Sequence, residues 1–521
     1  MTGIQVFTAC DPIYFHEYAI PLAYSLNTNS PNNALHLHIF GYDSVVIDHI
    51  YMLQQSLKNT TITWSYEKIE FPNRDKKTVY CSCVRFIRLS QLIPFFNKPI
   101  LSLDTDSLII SSIDNLPKDV GMNELALRIR LNAKKIEHKL LASTIYLQPT
   151  LRSQAFFKQA ANAIFKAMDA GTAKWYLDQV SFYEALKKTP NLKVQDIALK
   201  YADFNFSDDA CIWAGKGTKK ELDTRYKRAL GVFRNQSILD EWQGVPKTQI
   251  PNFAIIGAMK AGTTSLYAYL SEHPDIYFSN KEKEPGYFLP YMEHKRRLQK
   301  NIGVDIHSRQ QAFQVLMPDY QGQKMVGDAS VYYTQLPSKG QGSHAIIHAI
   351  QPNMKFIYVL RHPIERILSH YFYHLDAAQG TAKTNPHHPQ AKIGDIDFNQ
   401  YIEEGQQNFI PTSLYALQLS SFFPQFAKSQ FLILTSEELK QRPHETLKKT
   451  FEFLSVDSSF TCQFCDVQHN TSYSKQSRPQ PKFKPELYRK ILKFVLEDVA
   501  KLEQMFDRKF DWDFSEQKYV E

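Results

Sequence analysis

The sequence contains few cysteines and no long apolar run. Six cysteines in 521 residues are too few for the disulfide framework of a small secreted domain. No stretch of about 18 apolar residues occurs, so no membrane span is expected, although peripheral association with a membrane stays open. The first residues also lack the basic region and the apolar core of a secretory signal. These absences predict a cytoplasmic protein.

The charge balance excludes one class of partner. A formal net charge of +8 over 521 residues is mildly basic, which suits anionic substrates but is too small to indicate a nucleic-acid partner.

Cys462 and Cys465 form an isolated C-x-x-C pair, for which ordinary thiols are the default and a zinc site is the alternative. With 43% hydrophobic residues, the chain has enough apolar material for large packed cores.

The order of predicted elements indicates two α/β domains. Apolar strands alternate with helical patterns from the start of the chain, for example Ile4–Thr8 followed by Tyr18–Leu26. No internal repeat interrupts them. Residues 236–251 carry Gly244, Pro246 and Pro251 among polar residues, which is typical of a linker. We therefore predict one domain over 1–235 and a second over 252–521.

The second predicted domain begins with a phosphate-binding pattern. Phe253–Ile256 is a short apolar run typical of a strand buried in a parallel sheet. A glycine-bracketed loop with Lys260 follows it, and a helix begins after the loop. Backbone N–H groups and the positive end of the helix would face a bound anion there. The candidate binding residues are Lys260, Ala261, Gly262, Thr263, Thr264 and Ser265.

The position of the lysine distinguishes this loop from that of a kinase. A Walker loop carries lysine after its second glycine, whereas Lys260 precedes Gly262 here. The order resembles the 5′-phosphosulfate loop of sulfotransferases that use 3′-phosphoadenosine 5′-phosphosulfate (PAPS). An ordinary strand–helix turn and a P-loop nucleotide kinase are the alternatives.

Two further segments extend this resemblance. Arg361 follows the apolar strand Lys355–Leu360, and Ser369 lies two turns into the next helix. Together they resemble the 3′-phosphate clamp of the PAPS site. The family closes that pocket with a polar, basic segment, which implies roles for Tyr473, Ser477 and Arg478.

A third segment implies the general base. Lys283-Glu284-x-x-x-Phe288 resembles an element of glycan sulfotransferases in which the glutamate takes the proton of the acceptor hydroxyl. The resemblance implies this role for Glu284, and Glu282 is the competing candidate. On composition alone, this Lys/Glu run is also typical of a solvated loop.

The first predicted domain contains a D-x-D pattern. Asp104 and Asp106 follow an apolar strand and lie on the same side of the chain. Two such carboxylates repel each other unless a cation lies between them. In proteins this cation is usually Mg²⁺ or Mn²⁺, which also binds the phosphates of the substrate. A solvated turn is the common alternative for an isolated D-x-D.

Residues 1 to about 220 resemble family 8 glycosyltransferases, which have the GT-A fold. The resemblance rests on the ordered set Cys10-Asp11, Arg85-Phe86, the D-x-D and Asp178-Gln179. It implies that Asp104 and Asp106 hold the metal and that Asp11 and Arg85 lie near the nucleotide. It also implies that Asp178 and Gln179 face the sugar of a nucleotide-diphosphate sugar.

One position departs from this family. A histidine that usually provides the third metal ligand would fall at Ile212. Nearby Lys216, Lys219 and Lys220 could meet a diphosphate by charge, or could form a solvated face. Either active sugar transfer or a noncatalytic glycan- or nucleotide-binding module therefore stays open for this domain.

Together these patterns predict a PAPS-dependent sulfotransferase fused to a probable metal-dependent glycosyltransferase, both acting on one glycan or glycolipid. The cofactors would be PAPS in the second domain and Mn²⁺ or Mg²⁺ in the first. Glu284 and Lys260 would be the catalytic residues of sulfuryl transfer.

Overall fold

The chain folds into two compact units. The computed structural model describes residues 3–41, 44–69, 74–215, 217–335, 342–378, 397–405, 409–465 and 478–521. The units are Met1–Asp240 and Glu241–Glu521. The division lies inside the segment predicted as a linker, but this segment is partly helical up to Glu241. Trp242 and Val245 are buried in the second unit, so the residues after the division are packed rather than free in solvent.

A seven-stranded sheet forms the centre of the first unit. Its strand order is β3-β2-β1-β4-β7-β6-β8, and β7 runs antiparallel to both of its neighbours. Strands β5 and β9 form a separate antiparallel pair. The strands are β1 Gln5–Cys10, β2 Ala34–Phe40, β3 Thr61–Glu67, β4 Ile100–Leu103, β5 Ser107–Ile109, β6 Leu125–Ile129, β7 Leu140–Leu147, β8 Val194–Asp196 and β9 Ile212–Ala214.

Helices cover this sheet and bury two apolar clusters against it. One cluster includes the helix Ile20–Asn29, and the other includes the helices Arg74–Leu92 and Leu151–Asp169. The α-helices of the unit are Pro12–Tyr14, Ile20–Asn29, Ser44–Ser56, Arg74–Leu92, Leu116–Val120, Leu151–Asp169, Leu177–Lys188, Gly217–Leu222 and Thr224–Glu241. The short strand pair β5–β9 places residues 104–106 opposite the segment that follows β9.

The second unit has a five-stranded sheet in the order β11-β12-β10-β13-β14, and every neighbouring pair is parallel. The strands are β10 Phe253–Gly257, β11 Ile276–Tyr277, β12 Met325–Asp328, β13 Lys355–Leu360 and β14 Phe431–Thr435. Because β12, β10 and β13 are adjacent and parallel, the residues that follow them meet at one edge of the sheet.

Helices surround this parallel sheet. They are Thr263–Leu270, Tyr291–Ile302, Arg309–Leu316, Ser343–Ile350, Pro363–Ala378, Phe398–Glu404, Tyr415–Leu419, Ser436–Gln441, Pro443–Leu454, Pro485–Phe506 and Glu516–Tyr519. The prediction of α/β architecture with a central parallel sheet in the C-terminal half is confirmed. Across the described parts of both units, none of the helices has the length and apolar character needed to cross a bilayer.

Candidate active sites

The loop after β10 forms a tight turn. Lys260 has φ +69°, and Gly262 has φ +104° immediately before the helix Thr263–Leu270. A Cβ at Gly257 would lie 2.3 Å from the Tyr358 ring, so β10 and β13 approach closely only because this residue is glycine. The helix Thr263–Leu270 begins directly after this loop, and the N–H groups of its first turn point outward from its N-terminus.

Arg361 lies against this loop. Its Nη1 donates to the carbonyl oxygen of Lys260 at 3.1 Å, and its Nη2 lies 3.5 Å from Glu365 Oε2. Tyr415 Oη donates to the Arg361 carbonyl at 2.7 Å, which fixes the backbone of this residue. The two residues predicted to bind opposite ends of one donor are thus in contact, because they follow adjacent parallel strands.

A second arginine, Arg366, contacts the loop through a backbone carbonyl. Arg366 is fully buried in the helix Pro363–Ala378, and its Nη1 lies 3.4 Å from the Met259 carbonyl. Its Nε donates to Ser413 Oγ at 2.6 Å, and its Nη2 donates to the Phe409 carbonyl at 2.9 Å. The sequence pattern assigned this helix only an apolar face, so the role of Arg366 was missed.

The Lys260 ammonium lies over an aromatic ring. Its Nζ is 4.3 Å from the ring centroid of Tyr373. Burial, with the nearby Arg361 charge as a second cause, lowers the pKa of Lys260 to about 8. An anion bound at the loop would oppose both effects and restore the charged form.

Glu284 is paired with two basic side chains. Its Oε1 is 3.2 Å from Lys283 Nζ and its Oε2 is 3.6 Å from Arg297 Nη2. Burial and then the Glu284 charge raise the pKa of Tyr373, the residue whose ring lies beneath Lys260. The predicted base and the predicted loop lysine thus both interact with Tyr373.

Glu282 instead serves the local backbone. Its Oε1 accepts a hydrogen bond from the Glu284 N–H at 3.1 Å, and its Oε2 accepts one from Asn301 Nδ2 at 3.0 Å. The Glu282 carboxylate therefore holds the turn through these two hydrogen bonds, whereas the Glu284 carboxylate pairs with Lys283 and Arg297.

Residues at the end of β12 position the segment that carries Glu284. Asp328 accepts hydrogen bonds from the Ser330 N–H at 2.9 Å and from the Tyr333 hydroxyl. In turn, Ser330 Oγ accepts from the Gly286 N–H and Tyr333 Oη accepts from the Phe288 N–H, each at 2.9 Å. Burial raises the pKa of Asp328 to about 6. This network was not foreseen from the sequence.

The structure describes two of the four remaining residues predicted for the donor site. Ser369 lies half-buried on the same helix as Arg366. Arg478 is exposed. Burial raises the pKa of Tyr371, a residue of that helix, and the Arg478 charge opposes this rise. Tyr473 and Ser477 lie outside the described residues.

In the first unit, all six predicted site residues line one cavity of about 820 Å³. They are Asp11, Arg85, Asp104, Asp106, Asp178 and Gln179. The elements that bring them together are the carboxyl ends of β1 and β4, the helix Arg74–Leu92 and the start of the helix Leu177–Lys188.

Arg85 pairs with the first carboxylate of the D-x-D. Its Nη2 lies 2.7 Å from Asp104 Oδ1 and also donates to the Ala142 carbonyl at 2.7 Å. Arg85 is buried, with 4% of its surface exposed. Burial raises the pKa of Asp104 to about 7, and the Arg85 charge opposes that rise.

Lys220 pairs with the second carboxylate. Its Nζ lies 2.5 Å from Asp106 Oδ2, and the same ammonium is 4.4 Å from the ring centroid of Tyr18. Burial alone would lower the pKa of Lys220, but the Asp106 carboxylate raises it above the ordinary lysine value. The side chain is only 8% exposed.

The other cavity residues have local structural roles. Asp11 Oδ1 accepts from the Tyr14 N–H at 2.9 Å and so caps a short helix. Asp178 lies in the first turn of the helix Leu177–Lys188, and burial raises its pKa to about 6. In the amide orientation that satisfies its neighbours, Gln179 donates to the carbonyls of Leu140 and Glu137 at 2.9 and 2.8 Å.

These residues do not complete a usual divalent-metal site. Ile212, at the position expected for histidine, is fully buried in β9 and pairs with Ile109. Within the described ranges, no three His, Cys, Asp or Glu side chains are grouped so that they could hold a metal. The Mn²⁺ or Mg²⁺ prediction therefore rests on Asp104 and Asp106 alone, and both are ion-paired.

Comparison with known proteins identifies the second unit. Residues 251–503 match the family model described as "Sulfotransferase domain". Carbohydrate sulfotransferase 15 of Mus musculus is 26% identical over 247 residues, which cover 40% of this chain and 44% of that protein. The chain thus spans less than half the length of this relative. The prediction of a sulfotransferase domain in the C-terminal half is confirmed.

Two solved structures show partial similarity. A sulfotransferase from Alicyclobacillus acidocaldarius is 26% identical, with a TM-score of 0.35, and the match covers 50% of this chain and 97% of that one. The galactosyltransferase LgtC is 16% identical, with a TM-score of 0.31, and the match covers 44% of this chain and 96% of that one.

Proposed function

Since residues 251–503 form a sulfotransferase domain, we propose that this chain transfers a sulfuryl group from PAPS to a hydroxyl of a glycan. The observation that carries the proposal is the contact between Arg361 and the Lys260 loop at the carboxyl edge of β10 and β13. One anionic donor with two phosphate groups would contact both basic side chains there. Glu284, whose charge acts on the pKa of the Tyr373 that contacts Lys260, would provide the carboxylate.

The proposed reaction is an in-line displacement at sulfur. The acceptor oxygen forms a bond to sulfur while the bond between sulfur and the 5′-phosphate oxygen breaks. Glu284 takes the proton from the acceptor hydroxyl. Lys260 and the first-turn N–H groups of the helix Thr263–Leu270 stabilise the negative charge that develops on the leaving phosphate. The products are a sulfate ester and adenosine 3′,5′-bisphosphate.

Arg361 and Ser369 would orient the donor by its 3′-phosphate, with the exposed Arg478 as an additional cation. Orientation of this kind lowers the barrier because the reacting atoms are already aligned. Arg366 supports the loop through the Met259 carbonyl and is a positioning residue, since its guanidinium is fully buried.

For the first unit we propose binding of a nucleotide-diphosphate sugar in the cavity that contains Asp104 and Arg85. The cavity volume of about 820 Å³ is in the range of small-molecule sites. Asp178 and Gln179 at one wall would face the sugar. We further propose that both units act on the same glycan.

The test is transfer of radioactive sulfur from labelled PAPS to a panel of glycans, with Lys260→Ala as the matched inactive variant. Labelled product with wild-type protein only, insensitive to excess Mg-ATP, supports the proposal. A phosphorylated product from Mg-ATP would instead support a nucleotide kinase. Binding of glycans without transfer from any donor would support a binding module and contradict the proposed enzyme.

A further inference from the structure

Both D-x-D carboxylates of the first unit are already paired with basic side chains. Asp104 Oδ1 is 2.7 Å from Arg85 Nη2, and Asp106 Oδ2 is 2.5 Å from Lys220 Nζ. Arg85 and Lys220 both line the cavity, and both are almost completely buried. The ammonium therefore occupies the position beside Asp106 in which a divalent cation would be expected.

The fold fixes this pairing. The Gly215 N–H donates to the Asp106 carbonyl at 3.2 Å, and the Tyr226 hydroxyl donates to the same oxygen at 2.6 Å. A Cβ at Gly215 would lie 2.6 Å from that oxygen, so only glycine allows the segment before Lys220 to pack this closely. Lys220 then lies on the helix Gly217–Leu222, with its ammonium against the ring of Tyr18.

A divalent cation would have to displace this lysine. The displaced ammonium would remain close to a dication in a buried site, and two such charges repel strongly at low effective dielectric. No compensating ligand is available at residue 212, because isoleucine occupies it in the core of the β5–β9 pair. In the described portion of the chain, no set of three ligating side chains replaces it.

We infer that the first unit binds a nucleoside diphosphate without a divalent cation, and that the Lys220 ammonium provides the positive charge facing the diphosphate. This inference rests on the proposed binding of a nucleotide-diphosphate sugar. It differs from the expectation drawn from the D-x-D, in which Mn²⁺ or Mg²⁺ bridges Asp106 and the phosphates. The role of Asp106 becomes that of holding the ammonium in place.

Two measurements on the full chain test the inference without requiring catalysis. Binding of UDP, GDP, CDP and ADP is measured by calorimetry in EDTA and again with Mn²⁺. Uptake of Mn²⁺ by the protein alone is measured by electron paramagnetic resonance of the free ion. We expect at least one nucleotide to bind with the same affinity in EDTA and in Mn²⁺, and no Mn²⁺ uptake.

Three variants sharpen the test. Lys220→Met keeps the aliphatic stem against Tyr18 but removes the charge, so binding in EDTA should weaken at least about tenfold. Because Asp106 would then lack its ion-pair partner, Mn²⁺ should restore part of the affinity for the nucleotide. Lys220→Arg should retain binding in EDTA. Lys158→Met, at an exposed lysine of the same unit that does not line the cavity, should behave as wild type.

Thermal unfolding checks that Lys220→Met folds correctly. If Lys220→Met is unstable, the results for Lys220→Arg and for the wild-type protein decide whether binding needs a divalent cation. Mn²⁺ uptake by wild-type protein, or nucleotide binding that requires Mn²⁺, overturns the inference but leaves the proposed nucleotide-sugar site intact. Absence of binding by every nucleotide in both buffers overturns both.

Discussion

The guanidinium of Arg361 donates a hydrogen bond to the carbonyl oxygen of Lys260 at 3.1 Å. The two residues are separated by 101 positions in the chain, yet they meet because β10 and β13 are adjacent and parallel. Their contact places two basic side chains where one doubly anionic nucleotide could reach both.

Lys260→Ala should weaken binding of adenosine 3′,5′-bisphosphate by about 10- to 150-fold, because it removes a charged hydrogen-bond donor from a partly buried site. Calorimetry measures the change. Lys281→Ala, at an exposed lysine of the same unit, should leave the affinity unchanged. Binding of nucleoside diphosphates to the first unit should be the same in both variants, and equal loss at both sites would contradict independent sites.

Donor affinity should fall as the pH rises above about 8. The pKa of Lys260 is lowered to about 8 by burial and by Arg361, so the free protein loses this positive charge above that pH. An anionic ligand binds the protonated form better, and its affinity then decreases by up to about tenfold per pH unit. Calorimetric titration of adenosine 3′,5′-bisphosphate from pH 6.5 to 9.5 measures the profile; Lys260→Arg should remove the inflection, since arginine stays charged.

Glu284→Gln should lower kcat by about 10²- to 10⁴-fold, because the amide cannot accept the acceptor proton as a carboxylate does. The affinity for adenosine 3′,5′-bisphosphate should not change. Glu282→Gln is the matched variant, since its amide oxygen can still accept the Glu284 N–H. Steady-state rates with labelled PAPS measure both variants, and an equal loss of rate in the two would argue that neither carboxylate is the base.

Arg366→Leu should destabilise the second unit by about 3 kcal/mol or more, because the carbonyls of Met259 and Phe409 and the Ser413 hydroxyl would lose a buried donor. Urea unfolding measures the free energy change. Arg442→Leu, at a side chain that is 69% exposed, should change stability by less than about 0.5 kcal/mol. A variant of Arg366 with wild-type stability and donor affinity would show that this side chain does not support the loop.

The sequence was most informative where a motif follows a buried strand. Lys260 and Arg361 could be placed together from sequence, because each follows an apolar strand and parallel strands end at one edge. The apolar strand predicted at Lys355–Leu360 has the same bounds in the structure. In these segments, the apolar periodicity and the strand order determine where each residue lies in the fold.

Side-chain pairing between distant segments could not be predicted in this way. Lys220 and Asp106 are 114 residues apart, and their contact depends on the antiparallel register of β5 and β9. From sequence, Lys220 belonged to a lysine cluster with two possible explanations. Arg366 was hidden in a helix with an apolar face, where a single buried arginine does not alter the periodic pattern.

The central claim is that one nucleotide contacts both Lys260 and Arg361. The most direct measurement compares adenosine 3′,5′-bisphosphate with adenosine 5′-monophosphate on wild-type, Lys260→Ala and Arg361→Ala proteins by calorimetry. Lys260→Ala should weaken both ligands, whereas Arg361→Ala should weaken the bisphosphate at least about tenfold more than the monophosphate, since only the former has a 3′-phosphate. Equal effects of Arg361→Ala on the two ligands would contradict the account.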